Sequence, residues 1–145
     1  MQFRFSCPYT SSQNGKSERK IRSINNIMHT ILSHSSVPHS FWPHALDHAT
    51  YLLNILPTKV LNNSTPTYCL YNCHPSYDHL HIFGCLCYPL FPSTTIHKLA
   101  DRSTPCVFLG YPSNHRGYKC YNINTKQISI SRDVIFDENI FPFAT

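Results

Sequence analysis

Cys7-Pro8-Tyr9-Thr10-Ser11-Ser12-Gln13-Asn14-Gly15-Lys16-Ser17-Glu18-Arg19-Lys20-Ile21-Arg22 sets one carboxylate, Glu18, among four cations, just after an Asn-Gly turn signal. It opens a segment in which Ile21, Ile24, Ile27, Met28, Ile31 and Leu32 recur at three- and four-residue steps. That spacing predicts one apolar face of a helix from about Lys16 to Ser35. Arg19 and Arg22 stand apart from this face, free to meet a phosphate chain. A lone acid among bases at the mouth of a helix is where a polynucleotide-processing enzyme holds a metal ligand beside phosphate. The same residue types also suit the helix dipole and an i,i+4 pair between Glu18 and Arg22.

Working outward, residues 1–15 read as an extended segment and a turn, and Pro38 ends the first helix. Ser40 is placed to cap a second helix, with Pro43 in its first turn, where the missing N–H costs little. Trp42, Leu46, Ala49, Leu53 and Leu56 give it an apolar stripe, and Pro57 stops it. Thr65-Pro66 starts a short third helix to about Asn72. Near residue 78 the pattern changes. Five short runs rich in apolar and aromatic residues follow, at Ile82–Leu90, Cys106–Tyr111, Gly117–Asn122, Gln127–Ser131 and Arg132–Phe136. Turn signals at Pro92-Ser93, Pro112-Ser113-Asn114 and Asn122-Ile123-Asn124 separate several of them, the spacing of a small β-barrel.

The 145 residues are 41% apolar, a globular composition, and suit one domain or two small ones. The formal charge of +5 is uneven. Residues 1–22 hold five cations against one acid, a net +4, and the remaining residues hold seven against six, a net +1. A polyanion partner or a solvated helix face accounts for the basic end. No apolar run approaches the roughly 18 residues that span a bilayer, and the N-terminus lacks the apolar core of a signal peptide. The expectation is a nuclear or cytoplasmic, non-secreted protein with no membrane partner. Its seven cysteines are then reduced thiols and its sequons around Asn62 and Asn63 are idle.

The opening stretch resembles the end of the catalytic core of integrases from copia-type LTR retrotransposons, retrovirus-related Pol polyproteins. There a Pro-Tyr-Thr-x-x-Gln-Asn-Gly turn leads into Glu-Arg-Lys. The resemblance continues in order through Ser40-Phe41-Trp42, Tyr51-Leu52-Leu53-Asn54-Ile55-Leu56-Pro57-Thr58-Lys59, Ser64-Thr65-Pro66 and His79-Leu80-His81-Ile82-Phe83-Gly84-Cys85. Cys106-Val107-Phe108-Leu109-Gly110-Tyr111, Arg116-Gly117-Tyr118-Lys119 and Ser131-Arg132-Asp133-Val134-Ile135-Phe136-Asp137-Glu138 resemble the SH3-like domain behind that core. The resemblance implies an α+β fold. Residues 1–77 would be helices from the end of an RNase H-like integrase core, and residues 78–145 an SH3-like β-barrel. It implies that Glu18 is the last member of an Asp, Asp, Glu triad that binds two magnesium ions for DNA integration. Only seventeen residues precede Glu18 and none is acidic, while Asp47, Asp78, Asp101, Asp133 and Asp137 all follow it. The chain thus resembles the back half of an integrase, without the family's preceding His/Cys zinc-binding segment.

Two-metal phosphoryl transfer needs several carboxylates converging on ions about 4 Å apart. Glu18 alone should hold Mg²⁺ poorly, because that ion keeps most of its waters and leans on a second anion. No cofactor and no catalysis are expected of these residues by themselves. Gln13, Asn14, Lys16, Arg19, Lys20 and Arg22 are the candidates for contact with DNA. Cys69-x₃-Cys73-His74 and Cys85-x-Cys87 fit no standard zinc spacing and read as core or surface thiols. Ser17-x-x-Lys20 matches a Ser/Lys nucleophile by letter alone. Phe83, Tyr88, Phe108, Tyr111, Tyr118 and Tyr121 suit either a barrel core or a stacking platform for single strands, with Arg116, Lys119 and Arg132 as a secondary basic surface. The helix stripes, uncovered by a sheet from elsewhere in an integrase core, would meet other Pol or integrase chains, leaving 78–145 to fold alone. A relic that binds nothing in particular is the competing expectation.

Overall fold

The computed structural model describes residues 14–90 and 103–144. Three helices come first: α1 (Gly15–Ser35), α2 (Trp42–Ile55) and α3 (Pro66–Tyr71). Five strands follow: β1 (Leu86–Pro89), β2 (Cys106–Phe108), β3 (Tyr118–Asn122), β4 (Gln127–Ser131) and β5 (Val134–Asp137). This is the expected α+β order. The Pro92-Ser93 turn and the segment 1–13 lie outside the described residues.

Local chemistry accounts for the boundaries. The chain leaves α1 through Ser36 in the left-handed region, before Pro38. Thr65 caps α3 by accepting from the Tyr68 N–H at 3.1 Å, and Asn72, also left-handed, ends it. Ser40 behaves otherwise than expected. It lies in a 3₁₀ turn, His39–Phe41, and α2 begins without a side-chain cap. Pro43 sits in the first turn of α2, as anticipated.

The strands form one antiparallel sheet in the order β4-β3-β2-β1-β5. The barrel expected from the strand spacing is, among the described residues, an open sheet. Its outer strands, consecutive in sequence, lie at opposite edges. At the β4–β5 turn the Ser131 hydroxyl donates to Leu90 O at 3.4 Å and to Asp133 O at 3.0 Å, and the Leu90 N–H donates to Asp133 O at 2.9 Å. The turn is thereby tied to the end of β1.

Strand alternation gives the sheet two apolar faces with two separate cores. On one face Cys85, Cys87, Cys106, Phe108 and Cys120 are buried, with Tyr111, Tyr118, Val134, Phe136 and Phe141 around them. Cys85 and Cys87 therefore do share a face, as their spacing predicts. On the other, Val107 and Leu109 pack with Phe83 against Leu32, Val37 and Ala45 from the helical segment. The sheet therefore covers the C-terminal half of α1 and part of α2. The division near residue 77 marks a change of element type, and residues from both sides of it share this core.

Gly84 makes the close approach that joins the halves. Its φ is +82°, and a Cβ there would lie 2.4 Å from Ser35 Cβ and 2.9 Å from Val37 Cγ2. Ser35, at the end of α1, is fully buried, and its hydroxyl donates to Ile31 O at 2.7 Å.

The buried face of α2 differs from the predicted stripe. Ala45, His48, Ala49 and Ile55 are buried, whereas Trp42 is 53% exposed and Leu56 41% exposed. The sheet meets α2 along the line through residues 45, 48 and 49, about one helical position from the line that apolar spacing selects.

Candidate nucleic-acid interface

The first turns of α1 extend clear of the packed body. Lys16 to Ser23 are all exposed, Ile21 at 57%, and burial begins only near Ile24. At 1.5 Å of rise per residue this helix is about 31 Å long, and Lys16, Glu18, Arg19, Lys20 and Arg22 all lie in about its first two turns. Gln13 lies outside the described residues, and Asn14 is the N-terminal flank of the helix without a side-chain cap bond. Lys16, Arg19, Lys20 and Arg22 have no ion-pair partner among the described residues. The pair anticipated between Glu18 and Arg22 does not form, leaving Glu18 as an exposed acid in the positive first turn.

Helical geometry spreads these charges in a definite way. At 100° per residue, Arg19 and Arg22 fall on the side of α1 away from its apolar face, Lys16 and Glu18 fall on its two flanks, and Lys20 continues the line of the face itself. A phosphate chain crossing the helix would meet guanidinium groups one turn apart. No cluster of three His, Cys, Asp or Glu able to hold a metal occurs among the described residues. Cys69 and Cys73 are exposed and Cys85 and Cys87 are buried.

The aromatic residues divide between the cores and a cavity wall. Phe83 and Phe108 are core, and Tyr121 packs edge-on to Phe41 with ring centroids 4.9 Å apart. Tyr111 and Tyr118 are half-buried and line a cavity of about 530 Å³. Tyr51 of α2, His79 of the α3–β1 connection, Arg116 of the β2–β3 loop and Arg132 of the β4–β5 turn complete its main lining. Sequence reasoning picked out Tyr111, Tyr118, Arg116 and Arg132 separately and missed Tyr51 and His79. A span of 81 positions separates Tyr51 from Arg132, so no local pattern could have joined them. Lys119, grouped with the two arginines in the sequence, turns to the helix face instead and bonds Asp47 Oδ2 at 3.2 Å.

Hydrogen bonds fix the cavity wall. The Tyr111 hydroxyl donates to His79 O at 3.1 Å and accepts from the His81 N–H at 3.0 Å. The Tyr51 hydroxyl bonds His79 Nε2. His81 is held between Glu138 Oε1, 2.8 Å from its Nδ1, and the Phe136 ring, stacked at 3.6 Å. Burial pushes the Tyr111 phenol above its ordinary range, so it stays neutral. Behind the wall, burial holds His48 down to about 4, against Phe83 and the stacked Tyr111 ring. Its Nδ1 has no hydrogen-bond partner among the described residues.

Comparison with known proteins gives consistent results. Residues 85–145 match the family described as the retroviral polymerase SH3-like domain. Over 94% of its length the chain is 47% identical to a retrovirus-related Pol polyprotein from transposon RE1 of Arabidopsis thaliana, covering 9% of that protein. It is 45% identical over 95% of its length to the corresponding polyprotein from transposon RE2 of the same plant, covering 10% of it. Against the polyprotein from transposon TNT 1-94 of Nicotiana tabacum the identity is 36% over 91% of the chain, again 10% of the relative. The chain thus spans about a tenth of the length of these curated relatives. No solved structure matches it. Among the described residues no helix is long and apolar enough to cross a membrane.

Proposed function

Because the chain belongs to the retrovirus-related Pol polyproteins of copia-type transposons, with the retroviral polymerase SH3-like domain at residues 85–145, we propose that it serves the integrase step of such an element. On this reading it is the end of the catalytic core and the domain behind it. It holds DNA through the start of α1 and performs no strand transfer by itself. The observation that carries the reading is the exposed set of Lys16, Arg19, Lys20 and Arg22 on the first turns of α1, without an ion-pair partner among the described residues.

Magnesium enters only through the resemblance, and the donors present do not fit a two-metal site. Such a site needs several carboxylates around two ions, and among the described residues Glu18 belongs to no group of three potential ligands. Glu18 then acts as a first-turn acid that tempers the local positive charge. Lys and Arg side chains at this end neutralise phosphates and release counterions, a contact that positions DNA without reading its sequence.

The test is duplex DNA binding by the whole chain across a salt series. If about three phosphates are neutralised, log affinity falls against log salt with a slope of about −3. Arg19→Ala combined with Lys20→Ala should flatten that slope toward −1, while Glu18→Gln keeps or strengthens binding. An unchanged slope in the double variant, or no binding at low salt, refutes the reading.

A further inference from the structure

We infer that the cavity among Tyr51, His79, Tyr111, Tyr118, Arg116 and Arg132 is a binding site for one unpaired nucleotide, with the base among the tyrosines and the phosphate on the two guanidiniums. It goes beyond duplex binding by α1, because it uses other elements and takes a base out of its stack.

The cavity has the size and make-up of a small-molecule site. Its volume of about 530 Å³ falls within the roughly 300–1,000 Å³ usual for such pockets. Its floor is aromatic: the Tyr51 and Tyr111 ring centroids are 4.7 Å apart, and Tyr111 and Tyr118 are 6.0 Å apart. Flat π-faces of this kind accept any base, since every base offers a π-face in return. Two of the three rings are set before a ligand arrives, because the Tyr51 and Tyr111 hydroxyls are tied to His79.

Charge selects an anion. Arg116 and Arg132 are exposed, neither has an ion-pair partner among the described residues, and no acid lines the cavity. A cationic ligand, which an aromatic cage would otherwise suit, meets two like charges. A planar guanidinium pairs with phosphate oxygens two at a time. Gly117, between Arg116 and Tyr118, has φ +141°, and a Cβ there would lie 2.7 Å from Ser131 O. The two arginine-bearing turns thus touch backbone to backbone, which brings both cations to one rim. A paired base is stacked on both sides and cannot enter, so the site discriminates by strandedness.

Titration calorimetry of the whole chain tests this with four probes: a 5′-mononucleotide such as AMP, the matching nucleoside, inorganic phosphate, and a short oligo-dT. The mononucleotide should bind at least ten-fold more tightly than either the nucleoside or phosphate alone. Arg116→Ala with Arg132→Ala, both surface positions, should weaken it ten-fold or more, and Tyr51→Leu should weaken it while leaving phosphate binding unchanged. A nucleotide presented by a strand makes oligo-dT the tighter probe with the same arginine dependence; a free nucleotide makes the mononucleotide equal or better. Equal affinity for phosphate and nucleotide would reduce the site to an anion patch and overturn the inference, as would no binding of either nucleotide probe. The Arg19→Ala/Lys20→Ala variant should bind the mononucleotide as the parent does, so the two readings fail separately.

Discussion

Replacing Gly84 by Ala probes the join between helices and sheet at its tightest point. The added Cβ has no room: Ser35 Cβ at 2.4 Å, Ser35 Oγ at 2.8 Å and Val37 Cγ2 at 2.9 Å all stand inside contact distance. None of these is the end of a flexible side chain. Ser35 is pinned by its hydroxyl bond to Ile31 O, and Gly84 by its N–H bond to Phe108 O at 2.8 Å. Two costs add. A side chain at φ +82° costs about 1 kcal/mol or more, and overpacking a buried contact about 1–3 kcal/mol. A total near 3 kcal/mol is a large part of the roughly 5–15 kcal/mol that holds a domain folded. For a chain of this length it lowers Tm by roughly 10 °C. Gly15→Ala is the control, because no atom lies within 4 Å of a Cβ there and Ala favours the helix. The assay is thermal melting by circular dichroism, with DNA binding as a check on the surface of α1. A Gly84→Ala protein melting within a degree or two of the parent would refute the close packing, and with it the shared core.

Two further outcomes follow from the same core. His48 has its folded pKa held at about 4 against about 6.5 when unfolded, so the folded state resists its protonation. Its contribution is whole above pH 6.5 and is lost progressively as pH falls to 4, by about 3 kcal/mol in all. His48→Leu should flatten that part of the stability–pH curve, read from urea midpoints, and an equally steep curve in the variant would place the titration elsewhere. Residues 78–145 prepared alone expose Phe83, Val107 and Leu109, so the piece should melt without cooperativity and bind a hydrophobic dye. A monodisperse piece with a sharp melt would show that the sheet does not need the helices.

The sequence carried the elements well because their signals are local. Thr65-Pro66 and Asn72 bracket α3 as cap chemistry predicts, and the five apolar runs contain the five strands within a few residues. Which side of α2 turns inward was not local. His48 is buried where Trp42 is exposed because the ring fills the space between Phe83, Phe108 and Tyr111, residues at least 35 positions away. Strand order failed to show for the same reason: β5 pairs with β1 across most of the domain, through Leu86 opposite Asp137 and Cys87 opposite Phe136. The basic set around Glu18 was legible because it is contiguous. The cavity was not, because its walls come from α2, β3, two loops and a turn.

The cysteine-lined face of the sheet gives the molecule a built-in record of its own opening. Cys85, Cys87, Cys106 and Cys120 have no exposed surface, while Cys69 and Cys73 on and beside α3 are open to solvent. Only a thiolate reacts with an alkylating reagent. Burial pushes Cys85 up to about 12, and a hydrogen bond with Cys120 together with burial raises Cys87. The same hydrogen bond lowers Cys120, which is shielded instead by its complete burial, so the four inner thiols stay out of a reagent's reach until a strand comes away. Labels on Cys69 and Cys73 accumulate at once; labels on the inner four accumulate only as often as the sheet parts, so their ratio over time is a clock for that opening.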